Sequence, residues 1–208
     1  MSDWFWNRIA VRYSKTAVFD EESYQHKLTV TRRYLHPYME VLEIGCGTGS
    51  TAIIHAPYVK HIHAIDSSYK MIEIAQGKAK AANINNVTFE ELSIDQLKVE
   101  DDSLDIVLGL SILHLLKNRE EVIARLYKML KPGGYFVTST ACLGDMSGVL
   151  KTALCVGSAL RIIPLMKIFT RAQLVQNLQD AGFIVEYNWQ PAEKNKATFI
   201  IFKKNNIK

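Results

Sequence analysis

Apolar residues recur at helical spacing through residues 3–14 and 21–35, then give way to a short continuous apolar run at 41–44 that stops at Gly45. From there the two periods alternate. Residues 61–65 form a brief apolar-leaning run closed by Asp66, and residues 68–82 return to helical spacing through Met71, Ile72, Ile74, Ala75 and Ala79. Strands are predicted at 87–92 and 104–108, and residues 119–130 put Val122, Ile123, Leu126 and Leu130 on one helical face. A turn at Pro132-Gly133-Gly134 then leads into a fifth strand at 135–139.

Further on, Thr170-Arg171-Ala172-Gln173 has capping-box form and starts a helix that Gly182 can end. Residues 183–189 and 197–202 read as two strands joined by a polar turn containing Pro191 and Asn195, an antiparallel hairpin on the sheet edge. Parallel neighbours need crossover helices, so the alternation predicts an α/β fold. The expected form is Rossmann-like and doubly wound, a mostly parallel sheet of about seven strands with a C-terminal hairpin and N-terminal helices. Ligands of such folds bind at the carboxyl ends of the strands. Residues 1–208 are expected to form a single domain, with 1–38 as a helical cap.

Composition narrows the function classes. With 48% hydrophobic residues the 208-residue chain can bury a full core, and its net charge of +4 comes partly from the terminal run at 203–208. No nucleic-acid partner is implied. Cys46, Cys142 and Cys155 lack CxxC or Cys/His ligand spacing, so no metal site is expected and a cytoplasmic location fits. Residues 1–13 mix aromatics with charges and lack the apolar core of a secretion signal. Residues 149–169 are apolar-rich but interrupted by Lys151, Arg161, Pro164 and Lys167. They suit packing, closure over a pocket or peripheral membrane contact better than a span, which takes about 20 apolar residues.

The candidate chemistry sits in Val41-Leu42-Glu43-Ile44-Gly45-Cys46-Gly47-Thr48-Gly49-Ser50, a strand running into alternate glycines and then a helix beginning near Thr48. Any Cβ at those glycines is expected to take up ligand volume. Asp66 ends the next strand 21 residues after Gly45, near the spacing at which an acid meets ribose hydroxyls. Together they predict a nucleoside site. A dinucleotide loop would place Gly or Ala at position 50, where this chain has Ser50.

The Glu-x-Gly-x-Gly-x-Gly run resembles motif I of class I S-adenosylmethionine-dependent methyltransferases. The resemblance continues through Asp66, through Asp105 in Ser-Leu-Asp at the fourth strand, and through Leu130-Lys131-Pro132-Gly133-Gly134 before the fifth. In general architecture the chain is similar to the ubiquinone/menaquinone-biosynthesis type. The resemblance implies S-adenosylmethionine as cofactor. It places Gly45, Cys46, Gly47 and Gly49 along the methionine part, with Glu43 helping to hold the amino group, Asp66 on the ribose, and Ser67 and Met71 flanking the adenosine. Many relatives have an acidic adenine contact after the third strand; here Ser93 and Ile94 stand there, with Asp95 next. Leu110 and Ser111 resemble the backbone passing the sulfonium, and Tyr13 resembles a tyrosine that closes over the cofactor carboxylate.

His114 follows the fourth strand, where cofactor and acceptor should meet. It is a candidate proton acceptor; the alternative, which pocket position alone does not displace, is a histidine that packs against the loop and hydrogen-bonds a carbonyl. Cys46 is expected to be a small packing residue rather than a nucleophile. Residues 141–169 occupy the family's place for acceptor-specific elaboration and suggest an apolar lid through Leu143, Met146, Val149, Leu150, Leu154, Leu160, Ile162, Ile163, Leu165 and Met166. The implied partner is a small apolar or amphiphilic acceptor, methylated by in-line displacement. Two alternatives stay open at this point: a protein or RNA methyltransferase, and a cofactor-binding protein without transfer activity.

Overall fold

The computed structural model describes residues 3–18, 20–146, 148, 152, 157–158, 163–164, 166–191 and 197–206. Two helices come first, α1 (Asp3–Lys15) and α2 (Glu21–Arg32), the second capped by Asp20, whose side chain accepts from the Ser23 N–H. Then follow β1 (Glu40–Ile44), α3 (Ser50–His55), β2 (His61–Asp66), α4 (Tyr69–Ala81), β3 (Val87–Glu91) and β4 (Leu104–Leu110). α5 (Arg119–Met129), β5 (Leu130–Thr140), α6 (Arg171–Asp180), β6 (Phe183–Trp189) and β7 (Thr198–Lys204) complete the fold.

The seven strands form one sheet in the order β3-β2-β1-β4-β5-β7-β6. The pairs from β3 to β5 are parallel; β7 inserts antiparallel between β5 and β6. The expected doubly wound sheet with a C-terminal hairpin is what forms. The order in which successive strands are laid down reverses between the parallel neighbours β1 and β4, which places a crevice at the carboxyl ends of these two central strands. Two clusters of buried apolar residues cover the sheet, one around Leu42, Val107, Ile123 and Phe202, the other around Val41, Ile62, Ala75 and Phe199.

The Thr170 capping box is present, with Gln173 reaching back to the Thr170 N–H. Pro132-Gly133-Gly134 is not a turn before β5 but a bulge inside it: Leu104 pairs with Leu130 and Ile106 with Tyr135, so the β5 side carries three extra residues. Gly133 takes φ +79° there. Asp105 clips the sheet at the same level, its Oδ2 accepting from the Glu40 N–H at 2.9 Å and its Oδ1 meeting Lys131 Nζ at 2.8 Å. Of the suggested lid, Leu143 is buried and Met146, Ile163 and Met166 are half-buried; Val149, Leu150, Leu154, Leu160, Ile162 and Leu165 lie outside the described residues, as does Cys155. Among the described residues no helix is long and apolar enough to cross a membrane.

Candidate functional site

The glycine run forms the passage from β1 into α3. Gly45, Gly47 and Gly49 adopt φ of +65°, +53° and +73°, left-handed backbone that a side chain enters at a cost of roughly 1–2 kcal/mol. Their surroundings differ. A Cβ on Gly45 would lie 2.7 Å from Ile112 Cδ1, and one on Gly49 would lie 2.7 Å from both Ala75 Cβ and Phe89 Cε1. A Cβ on Gly47 would meet nothing within 4 Å. This corrects the expectation that all three are kept bare by a ligand: Gly45 and Gly49 make room for the protein's own packing, and Gly47 alone has open space over it. Gly49 also caps α3, which starts at Ser50 rather than near Thr48.

Asp66 at the end of β2 is held against this loop. Its Oδ2 accepts from the Gly47 N–H and its Oδ1 from the Ser68 N–H, both at 2.9 Å. Burial raises its pKa, while these backbone hydrogen bonds act in the opposite sense. Glu43, on the neighbouring strand, is 3% exposed, and its Oε2 has no hydrogen-bond partner. Burial, and then the charge of Asp66, push its pKa up to about 8. A buried polar atom left unpaired costs about 1–3 kcal/mol, so this carboxyl is set to receive a donor. The Ser67 hydroxyl is likewise buried and unpaired.

α1 lies across the start of α4. Asn7 Oδ1 accepts from Ser68 Oγ at 2.7 Å and from the Lys70 N–H at 3.2 Å, while Ser68 caps α4 through the Met71 N–H. Trp6 and Tyr13, two turns apart, meet edge to face with ring centroids 6.3 Å apart. The Tyr13 ring is half exposed, but loss of solvent around its hydroxyl, followed by the charge of Asp66, raises its pKa.

Two cavities open at this end of the sheet, and α1 contributes to both. One, of about 520 Å³, includes Tyr13, Tyr24, Glu43, Gly47, Ser111 and Ser139 in its lining. Gly45, Cys46 and Leu110 line it too. The other, of about 280 Å³, is bounded by Trp6, Ser93, Ile94, Asp95, Leu115 and Leu116. Ser93 Oγ donates to Gln96 Oε1 at 2.8 Å, and Ile94 is buried. Met71 is buried at the start of α4 and lines neither cavity. Ser111 takes φ +59°, with its N–H donating to the Ser139 carbonyl at 2.6 Å. A non-glycine residue with such backbone at the end of a central strand is held there by its surroundings, as is common at functional sites.

His114 sits apart from both linings. It is buried, its Nδ1 is 3.2 Å from Thr140 Oγ1, and its carbonyl accepts from the Lys167 N–H at 2.7 Å. Burial lowers its pKa to about 4. Cys46 is buried with its thiol pKa raised well above normal, chiefly by loss of solvent, which removes nucleophilic character at neutral pH. Among the described residues no group of three or more metal-ligating side chains gathers.

A family model described as a methyltransferase domain matches residues 35–198, from the segment between α2 and β1 to the first residue of β7. The chain belongs to the methyltransferase domain family. S-adenosylmethionine is the cofactor of that family. The chain is 31% identical over 97 residues to the methyltransferase YcgJ of Bacillus subtilis, covering 47% of this chain and 38% of that protein. It is 32% identical over 138 residues to the malonyl-[acyl-carrier protein] O-methyltransferase of Bacillus cereus, covering 64% of this chain and 50% of that protein. The chain thus spans half or less of the length of these curated relatives. The crystal structure of Bacillus subtilis YcgJ superimposes with a TM-score of 0.73 at 18% identity, over 87% of this chain and 99% of that one, which shows a shared fold.

Sequence reasoning passed over Trp6, Asn7, Tyr24, His55 and Ser139, although all but Asn7 line a cavity and Asn7 ties α1 to α4. The seven-residue spacing of Trp6 and Tyr13 does signal one helical face. Nothing in the local sequence marks the others.

Proposed function

We propose that this chain moves the methyl group of S-adenosylmethionine to a small amphiphilic acceptor by in-line displacement, within the cavity of about 520 Å³. The reading rests on the buried, unpaired oxygen of Glu43, a residue that lines the same cavity as Gly47, since a carboxyl without a donor beside an open backbone fits a ligand carrying an ammonium group. In this reading Glu43 holds the amino group, and Asp66 accepts from the ribose hydroxyls with the lone pairs left free by Gly47 and Ser68. The other assignments from the resemblance are kept: Gly45, Cys46, Gly47, Gly49, Leu110 and Ser111 along the methionine and sulfonium, Ser67 and Met71 at the adenosine, Tyr13 over the carboxylate. Ser93 and Ile94, together with Trp6 of the smaller cavity, hold the adenine.

When bound, the cofactor supplies a methyl group already activated by its sulfonium, so the protein's task is alignment, worth up to roughly 7–11 kcal/mol in favourable cases. The strained Ser111 and the Ser139 hydroxyl, buried and unpaired, form the wall at which the acceptor is oriented. His114 is assigned to packing rather than proton transfer, because its ring is engaged with Thr140 and burial makes it a weak base.

The acceptor class follows from the lining, which mixes Val18, Leu28 and Leu110 with Tyr24, Thr51 and Ser139. The residues form one catalytic domain in this reading. A cytoplasmic setting is supported by Cys46 and Cys142, both free. The test is incubation with S-adenosylmethionine carrying a tritiated methyl group and a panel of quinols, phenols and fatty acyl compounds. Label in any of them that is lost on Asp66→Ala supports the reading; cofactor binding without transfer to any of them overturns it.

A further inference from the structure

His55 closes α3 one turn after Thr51, on the same helical face, and lines the larger cavity at its end between α2 and α3. The ring is 1% exposed, and neither Nδ1 nor Nε2 has a hydrogen-bond partner. Buried imidazoles are normally anchored through at least one nitrogen, as His114 is through Thr140. Here the neighbouring lining from α2 is Lys27, Leu28 and Thr31.

Loss of solvent, and then the guanidinium charge of Arg32, hold the ring neutral by lowering its pKa to about 4. The neutral ring therefore has one N–H and one lone pair without a partner, at a residue that lines the cavity. The loss of solvent that disfavours a protonated histidine also penalises a charged group bonded to the ring, although Lys27 stands in the neighbouring lining. α3 rises about 1.5 Å per residue, which puts His55 several ångströms from the glycine loop and its reacting end. It is placed to anchor the far part of an acceptor.

We propose that the α2–α3 end of the cavity is a subsite for an uncharged hydroxyl group of the acceptor, alcohol or phenol, hydrogen-bonded by His55. The inference rests on the reading of this cavity as the acceptor chamber. His55 would be a specificity-determining residue and would take no part in methyl transfer itself.

The test uses the full chain saturated with S-adenosylhomocysteine, with its six histidines labelled at Cε1, and three probes sharing one ring: p-cresol, p-xylene and p-toluate. His55→Leu, which keeps the site filled and apolar, assigns the His55 resonance. The expected result is that p-cresol shifts that resonance and binds about tenfold more tightly than p-xylene. That preference should vanish in His55→Leu while S-adenosylhomocysteine affinity stays within about threefold, because His55 makes no cofactor contact in this assignment. Equal binding of p-xylene, tighter binding of p-toluate, an unmoved His55 signal or no p-cresol binding each overturns the subsite. Failure to bind S-adenosylhomocysteine at the outset would instead overturn the cofactor assignment beneath it. If His55→Leu does not fold, the three wild-type affinities still decide.

Discussion

A carboxyl group with its native pKa near 8 keeps a proton that the unfolded chain releases near pH 4.3. Between those values the native state binds more protons than the unfolded state, so the contribution of Glu43 to stability is whole below about pH 4.3 and is lost as the pH rises through 8. Glu43→Gln removes this dependence. The urea midpoint of the wild type should fall relative to the variant between pH 5 and pH 8, and parallel pH profiles would refute the buried carboxyl as its source. Pairing with a ligand ammonium reverses the preference and favours the ionised form. S-adenosylhomocysteine binding at pH 7 should therefore release about one proton from this site, measured as a dependence of calorimetric enthalpy on buffer ionisation heat that Glu43→Gln abolishes.

The three loop glycines divide just as sharply at this scale. Gly49→Ala forces a methyl into Ala75 and Phe89, adding roughly 1–3 kcal/mol of overpacking to the backbone strain. Gly47→Val places its side chain where the fold has nothing. The expected outcome is a folded Gly47→Val protein with S-adenosylhomocysteine binding lost, and a Gly49→Ala protein whose first defect is stability. Normal affinity in Gly47→Val would remove the loop from the cofactor site. The glycine spacing was legible in the chain, and it marks the loop between β1 and α3. What each glycine makes room for depends on Ile112, Ala75 and Phe89, which arrive from distant segments.

Among the elements, α1 is tied to the start of α4 by the side chain of Asn7. Asn7 Oδ1 accepts from Ser68 Oγ and from the Lys70 N–H, so it completes the cap of α4 while fixing the face that carries Trp6 and Tyr13. Loss of such a cap costs about 0.5–2 kcal/mol. Asn7→Ala should lower global stability within that range and reduce amide protection in α1 far more than in the central strands, as read by hydrogen exchange. An equal loss of protection throughout would contradict the local role. The apolar pattern predicted α1 and the series from β1 to β7 because their faces are set by periodicity. The bulge in β5 escaped it because Pro132-Gly133-Gly134 serves a turn and a bulge equally well. Only the pairing of Leu130 with Leu104 distinguishes them. The contacts of Asn7 and the unpaired ring of His55 likewise come from tertiary packing, which the local sequence does not encode.

At the scale of the whole molecule, the central crevice between β1 and β4 gathers side chains from α1, α2, β1, β2, β4 and β5. A ligand bound there touches the native state alone, since no unfolded chain brings Tyr13, Glu43 and Ser111 together. Such a ligand at a hundred times its dissociation constant adds about 2.7 kcal/mol to stability. For a chain of 208 residues that corresponds to a rise in Tm of roughly 5–11 °C. S-adenosylhomocysteine should give this rise in the wild type and little of it in Asp66→Ala, where the acid expected to meet the ribose is gone. NAD should give none: its pyrophosphate loop takes Gly or Ala at the position of Ser50, and of the three loop glycines only Gly47 has open space over it. A rise with NAD comparable to that with S-adenosylhomocysteine would mean that the loop accepts a pyrophosphate despite Ser50. The ammonium-binding part assigned to Glu43 would then have to be abandoned.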